Sequence, residues 1–169
     1  SFADELTAFR AYAAVFPDSS VLLVDTYDTL KSGLPNAITV AHELRERGHE
    51  LRGIRLDSGD LAYLTQKARK MLDDAGWTDC KISVSNSLDE YLIQDMLLQG
   101  AQIDLFGVGE RMITAKSEPV FGGVYKLVAI EEPDGTVIPK IKVSENVEKI
   151  TIPHFKKAYR LFGRDTGKA

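Results

Sequence analysis

The sequence predicts an α/β fold: a parallel sheet forming part of a (β/α) barrel, followed by an antiparallel hairpin segment. Three observations predict it. Short apolar runs begin near residues 21, 51, 80 and 103, and each of the first three leads into a helical pattern; that repeat makes a parallel sheet with crossover helices. Three of the runs end directly in small, hydroxyl, amide or acidic residues: GIRLDSGDL (Gly53 to Leu61), SVSNSLDE (Ser83 to Glu90) and LFGVGERMITA (Leu105 to Ala115). The pattern then changes: Gly123 to Glu131 and Thr136 to Val143 flank Pro133-Asp134-Gly135, a hairpin signal. A closed eight-stranded barrel needs about 250 residues, and this chain has 169, so a partial barrel is expected over 1-120 and the hairpin with a C-terminal segment over 121-169.

Each element follows from local pattern. Leu6, Phe9, Tyr12 (or Ala13) and Phe16 recur at helical spacing over Glu5 to Val15, and Pro17 ends that helix. Val21 to Val24 is a continuous apolar run, the mark of a strand buried on both faces. Pro35 suits a first helical turn; Ala37, Ile38, Ala41 and Leu44 share a face, and Gly48 closes the helix. Leu51 to Leu56 is the second strand. Leu61, Leu64, Ala68, Met71 and Leu72 form a helix face that stops at Gly76. Ile82 to Val84, Tyr91 to Leu98 and Ile103 to Phe106 complete the series as strand, helix and strand. Lys156-Lys157 with Arg160 reads as a solvated helix face, and the polar tail from Arg164 as frayed.

Composition narrows the function classes. Hydrophobic residues make up 44% and charged residues 27%, which is globular rather than disordered. Lys plus Arg total 21 against 25 Asp plus Glu, for a net charge of −4, which argues against a nucleic-acid-binding surface. No apolar run approaches the ~18 residues of a membrane span, and no basic-then-apolar leader is present. The single cysteine, Cys80, reads as a buried filler and fits a reducing, cytoplasmic setting. Ser1 opens on a helical pattern without an initiating Met, so a piece of a longer chain is expected.

Polar groups at the carboxyl ends of successive parallel strands converge on one face, where such folds bind ligands. Strand side chains alternate. If Ile54 and Leu56 face the helices, Arg55 and Asp57 share the other side, the interior near the mouth of a barrel. Arg55 can stack on a flat ring or bind an anion, and Asp57 can take ribose hydroxyls or face a developing cation; the two can equally form an ion pair that only orders the strand end. Ser85-Asn86-Ser87 precedes a helix, and Ser87 with Glu90 fits a capping box, although helix amino ends also bind phosphate. In Gly107-Val108-Gly109-Glu110, the glycines allow close backbone approach to a phosphate or simply a tight turn. Glu110 would repel an anion unless it points away or serves a metal or hydroxyl. Ser58 and Gly59 belong to the same kind of turn after the second strand. Asp25 and Asp28 follow the first strand; they can hold Mg²⁺ through water or position a sugar, or cap the loop to Lys31. His42, His49 and His154 have no metal-ligand partner at useful spacing and read as surface or structural. Together the strand ends point to a phosphorylated small molecule.

These strings closely resemble nicotinate phosphoribosyltransferase. The resemblance runs nearly end to end through SFADELTAFRAYA, LLVDTYDTLKSGLPNAI, GIRLDSGDLAYL, SNSLDE, GVGERMITA, GGVYKLVA and PKIKVSENVEKIT. It implies the irregular α/β barrel of the type II phosphoribosyltransferases. It implies an activity that joins nicotinate to phosphoribosyl pyrophosphate, giving nicotinate mononucleotide and pyrophosphate on the way to NAD, with Mg²⁺ and ATP hydrolysis through a phosphohistidine. On this resemblance Arg55 lies against the nicotinate ring and the phosphoribosyl group, and Asp57 near the ribose. Ser85, Asn86, Ser87 and Gly107, Val108, Gly109, Glu110 hold the 5′-phosphate. The family pattern reads SNDLDE and GVGT; here Ser87 and Glu110 depart from it, and His154 stands where a glycine is expected. The phosphorylated histidine, an amino-terminal domain and the second subunit of a homodimer are expected to lie outside this segment. The chain is therefore expected to bind phosphate or mononucleotide weakly without turning over. The alternatives are a nicotinamide-specific relative and a non-catalytic phosphate- or mononucleotide-binding module.

Overall fold

The structure, a computed structural model, describes residues 2–114, 123–143 and 149–164. Its backbone divides into two compact units, Ser1–Val120 and Phe121–Ala169. The first unit begins with helix α1, Glu5–Val15, whose amino end is capped by Asp4 accepting from the Thr7 N–H. Strand β1, Val21–Leu23, leads to a single π-helical turn, Thr29–Gly33, and directly into α2, Leu34–Glu46. Then follow β2, Gly53–Leu56; α3, Leu61–Asp74; β3, Lys81–Ser85; α4, Glu90–Leu98; β4, Leu105–Gly107; and the short α5, Glu110–Ile113.

The four strands form one parallel sheet in the order β1-β2-β3-β4. Register sorts the side chains into two faces. Leu22, Ile54 and Ile82 align across the sheet, as do Leu56, Val84 and Phe106. These residues pack with Leu34, Val40 and Leu44 of α2 and with Ala68 and Leu72 of α3 into one core. The other face carries Leu23, Arg55, Ser83 and Leu105 in one row, with Leu23 and Leu105 exposed. The expected strand buried on both sides is thus not found in β1: Leu22 and Val24 are buried, while Val21 and Leu23 are open.

Boundaries shift for local reasons. β4 begins at Leu105 rather than Ile103, because an Asp104 carboxylate oxygen takes the Ile82 N–H at 2.9 Å in place of a strand carbonyl. Gly33 lies against the end of β1: a Cβ there would fall 1.8 Å from the Val24 carbonyl oxygen. This close approach, and the π-helical turn that produces it, are not visible as periodicity. The capping box at Ser87 is a correction. Asn86 and Ser87 both take positive φ, 93° and 52°, so the chain is still turning there, and Asp89 caps α4 by accepting from the Leu92 N–H at 2.9 Å.

The second unit contains a hairpin of β5, Ala129–Glu131, and β6, Val137–Pro139. Its turn uses Gly135 at φ 84°, and the Asp134 carboxylate accepts from the Thr136 N–H. The strands are shorter than the predicted arms, since a two-stranded ribbon is only marginally stable by itself. Lys156, Lys157 and Arg160 are exposed in irregular chain, not on a helix. The tail beyond Arg164 lies outside the described residues. Among the described residues no helix is long and apolar enough to cross a membrane.

Candidate active site at the strand carboxyl ends

Three strands deliver one connected polar cluster. Arg55 leaves the open face of β2. Its Nε donates to the Ser85 hydroxyl at 2.8 Å, and its Nη2 donates to Asp57 Oδ1 at 3.2 Å. The Ser85 hydroxyl donates in turn to the same Asp57 oxygen. Ser85 is buried at the end of β3, whereas the Arg55 and Asp57 side chains are 52% and 44% exposed. An ion pair this exposed stabilises a fold by about 1 kcal/mol or less. Ordering the strand end is therefore a small part of what the arrangement can do. It leaves a guanidinium and a carboxylate in fixed relative positions, open to a ligand.

Asp25 supports the cluster from β1. Its Oδ2 accepts the Asp57 N–H and the Ser58 hydroxyl, each at 2.7 Å. The turn then passes through Gly59 at φ 81°, and Asp60 caps α3 by accepting from the Tyr63 N–H. Asp28 is used locally instead: its Oδ1 accepts from the Leu30 and Lys31 N–H groups. The Lys31 N–H bond holds the Asp28 carboxyl below the usual carboxylate range, against a smaller opposing effect of burial.

The β3–α4 and β4–α5 loops lie side by side, because Ser85 and Gly107 are register partners. A Cβ on Gly107 would sit 3.1 Å from that of Ser85, so this glycine permits close strand approach. Gly109 differs: a Cβ there would meet nothing within 4 Å. Val108 packs against the core, and Glu110 is exposed as the first residue of α5. Asn86 and Ser87 are exposed above buried Leu88. Left-handed backbone at a serine is uncommon and concentrates at functional loops.

Arg111, which the sequence reading passed over, joins these loops through Asp89, which that reading placed in the first turn of the helix. Arg111 Nη1 donates to Asp89 Oδ2 at 2.5 Å, and Asp89 is only 7% exposed. An acidic residue just before a helix is a legible cap; its pairing with an arginine 22 positions on is not. The histidines stand elsewhere. His42 packs edge-on against Trp77, and His49 pairs with Asp18. In the second unit His154 takes φ 72°, a conformation glycine adopts without cost, which explains why a glycine suits that position. Among the described residues, no three His, Cys, Asp or Glu side chains gather as a metal site.

The fold and the cluster define an α/β protein with a polar, partly exposed cluster at the carboxyl ends of a parallel sheet. Its relatives are specific. The chain is 56% identical over 164 residues to nicotinate phosphoribosyltransferase of Bacillus subtilis (strain 168), covering 97% of this chain and 33% of that protein. It is 46% identical over 168 residues to the Dictyostelium discoideum protein of the same name, covering 95% of this chain and 28% of the relative. The crystal structure of human nicotinic acid phosphoribosyltransferase superposes with a TM-score of 0.58 at 38% identity, covering 62% of this chain and 22% of that one. No protein-family model matches. The chain is homologous to a segment of the nicotinate phosphoribosyltransferases and spans about a third of the length of the curated relatives it matches.

Proposed function

We propose that this chain supplies the phosphoribosyl-binding strand ends of a nicotinate phosphoribosyltransferase, an enzyme of NAD biosynthesis. The observation that carries the reading is the Arg55–Ser85–Asp57 cluster, open to ligand in a chain 56% identical to a protein of that name. The reaction forms a bond from the nicotinate ring nitrogen to ribose C1′ as the C1′–oxygen bond to pyrophosphate breaks, with the electron pair leaving on pyrophosphate. Positive charge develops on the ribose between these events. Asp57 is the carboxylate that faces this charge, and Arg55 lies along the flat ring and the phosphoribosyl group. Ser58 and Gly59 border the ribose, and Ser85 fixes the relative position of Arg55 and Asp57. Asn86, Ser87 and the Gly107-to-Glu110 loop take the 5′-phosphate. Catalysis by such a site is mainly positioning and electrostatics.

The remaining features are part of the same proposal. The sequential strand order and the single bare face support a wall of a (β/α) barrel rather than a complete sheet. A homodimer and a cytoplasmic setting accompany this reading. Mg²⁺ fits the residues present only as an ion carried by pyrophosphate and water, with Asp25 or Asp28 as a single protein ligand; it would neutralise the leaving group. Coupling to ATP hydrolysis belongs to the same reading, with the phosphorylated histidine outside this segment; His42 and His49 stand away from the strand-end cluster, against Trp77 and Asp18.

The test is product formation from nicotinate and phosphoribosyl pyrophosphate by a full-length enzyme carrying this segment, with Arg55→Ala, Asp57→Asn and Ser85→Ala beside it. The first two substitutions are expected to lower kcat/KM by about a hundredfold or more without changing the circular dichroism spectrum. Binding of nicotinate mononucleotide by that full-length protein without any turnover would favour the non-catalytic module, and preference for nicotinamide would favour the nicotinamide-specific reading.

A further inference from the structure

Two loops meet where the proposed phosphate lies, and their charges do not suit an anion. Residues 85–89 and 107–111 contain Asp89 and Glu110 but only one cation, Arg111. Asp89 is buried, caps α4 through Oδ1 and pairs with Arg111 through Oδ2. The Arg111 side chain is 38% exposed, and among the described residues no other side chain engages its guanidinium. A guanidinium has five donors in a planar fork. One edge is held by Asp89, and Gly109, two residues earlier in the same loop, has open space where a Cβ would meet nothing within 4 Å.

We propose that Arg111 is an anion-binding residue, oriented by Asp89, that contacts the phosphate monoester held between the β3–α4 and β4–α5 loops. This inference rests on the phosphoribosyl reading above and adds the positive charge that the glycine and serine loops lack. The buried carboxylate makes the guanidinium rigid, so little side-chain freedom is lost on binding. It also joins the two loops, so that a ligand touching Arg111 meets both in one arrangement.

The experiment is calorimetric titration of the purified protein with ribose 5-phosphate and, separately, inorganic phosphate, each at low and at high salt. Arg111→Ala and Arg111→Gln are compared with the unaltered protein. Arg111→Gln keeps an unbranched polar stem and a donor for Asp89 but carries no charge. Both variants are expected to weaken ribose 5-phosphate binding by about tenfold or more at low salt and to flatten its salt dependence. Affinity within twofold of the unaltered protein, or a loss equal at both salt concentrations, overturns the anion contact. If Arg111→Ala does not fold, Arg111→Gln alone decides. An unaltered protein that binds neither ribose 5-phosphate nor inorganic phosphate overturns the phosphoribosyl reading itself, and this inference with it.

Discussion

Asp25, two residues past the end of β1, accepts the backbone N–H of Asp57, just past the end of β2, at 2.7 Å. The bond ties the turn that carries Asp57 to a neighbouring strand and not to its own element. The Ser58 hydroxyl donates to the same oxygen. One side chain just past β1 thus sets the position of the residue proposed to face the reacting ribose.

Asp25→Ala removes the acceptor for both donors. Part-buried groups left without a partner cost about 1–2 kcal/mol here, with water replacing some of what is lost. The urea midpoint is expected to fall accordingly. Nicotinate mononucleotide affinity is expected to fall further than that of a destabilised control altered in the core, because the turn carrying Asp57 is no longer fixed. Equal affinity in the two proteins would show that Asp25 does no positioning.

Gly33→Ala tests the junction of the π-helical turn with β1. The added methyl would stand 1.8 Å from the Val24 carbonyl oxygen and 2.6 Å from its carbon. Both are backbone atoms, so relief requires the strand end to move. A loss of about 3 kcal/mol is expected by chemical denaturation. Gly48→Ala is a useful contrast, since that glycine sits at φ 82° with open space around its Cβ position. It should lose only the smaller cost of left-handed backbone, about 1 kcal/mol.

Burial pushes the Cys80 thiol up from an ordinary 9.0 to about 11, with nearby Arg69 opposing the shift. The folded protein therefore holds this proton more tightly than the unfolded chain. The stability it contributes is complete below pH 9.0 and is lost as pH rises toward about 11. Cys80→Ala is expected to flatten the alkaline fall in thermal midpoint over that window. Thiol-reactive reagents at pH 8 should label the native protein far more slowly than the denatured one; comparable rates would contradict the buried placement.

Asp104 titrates with the opposite sign. Burial alone would raise its carboxyl, but the Ile82 N–H and the Lys81 ammonium outweigh that and hold it below 3.8. Its contribution is present above that ordinary value and is lost as pH falls through the lower folded value. Asp104→Asn should be less stable at neutral pH and should show a shallower acid transition, read by fluorescence of Trp77.

The repeat of strand and helix was legible because each apolar run and its helix are local in sequence. Ile54 and Leu56 on one face and Arg55 on the other follow from alternation alone. Arg55, Asp57 and Ser85 could be singled out as polar residues at strand ends. The Arg55–Asp57 pair, two positions apart, was legible as well; the bonds of both to Ser85 were not, because they join residues 28 and 30 positions apart. The same holds for Arg111 with Asp89, where contact depends on two loops being brought together by the Ser85–Gly107 register. At Ser87 the capping pattern was present, but positive φ at two successive residues delayed the helix to Asp89. The open face of β1 was missed for a different reason: an apolar run looks the same whether both its faces are covered within this chain or one is left bare.

The most direct measurement is an amide-resonance titration of the protein with nicotinate mononucleotide. The account predicts saturable shifts at Arg55, Ser58, Ser87, Gly107 and Gly109, all at the carboxyl ends of the strands. No saturable shift, or shifts gathered at the opposite ends of β2 and β3 around the cleft lined by Arg45, Arg52, Trp77 and Lys81, would contradict it.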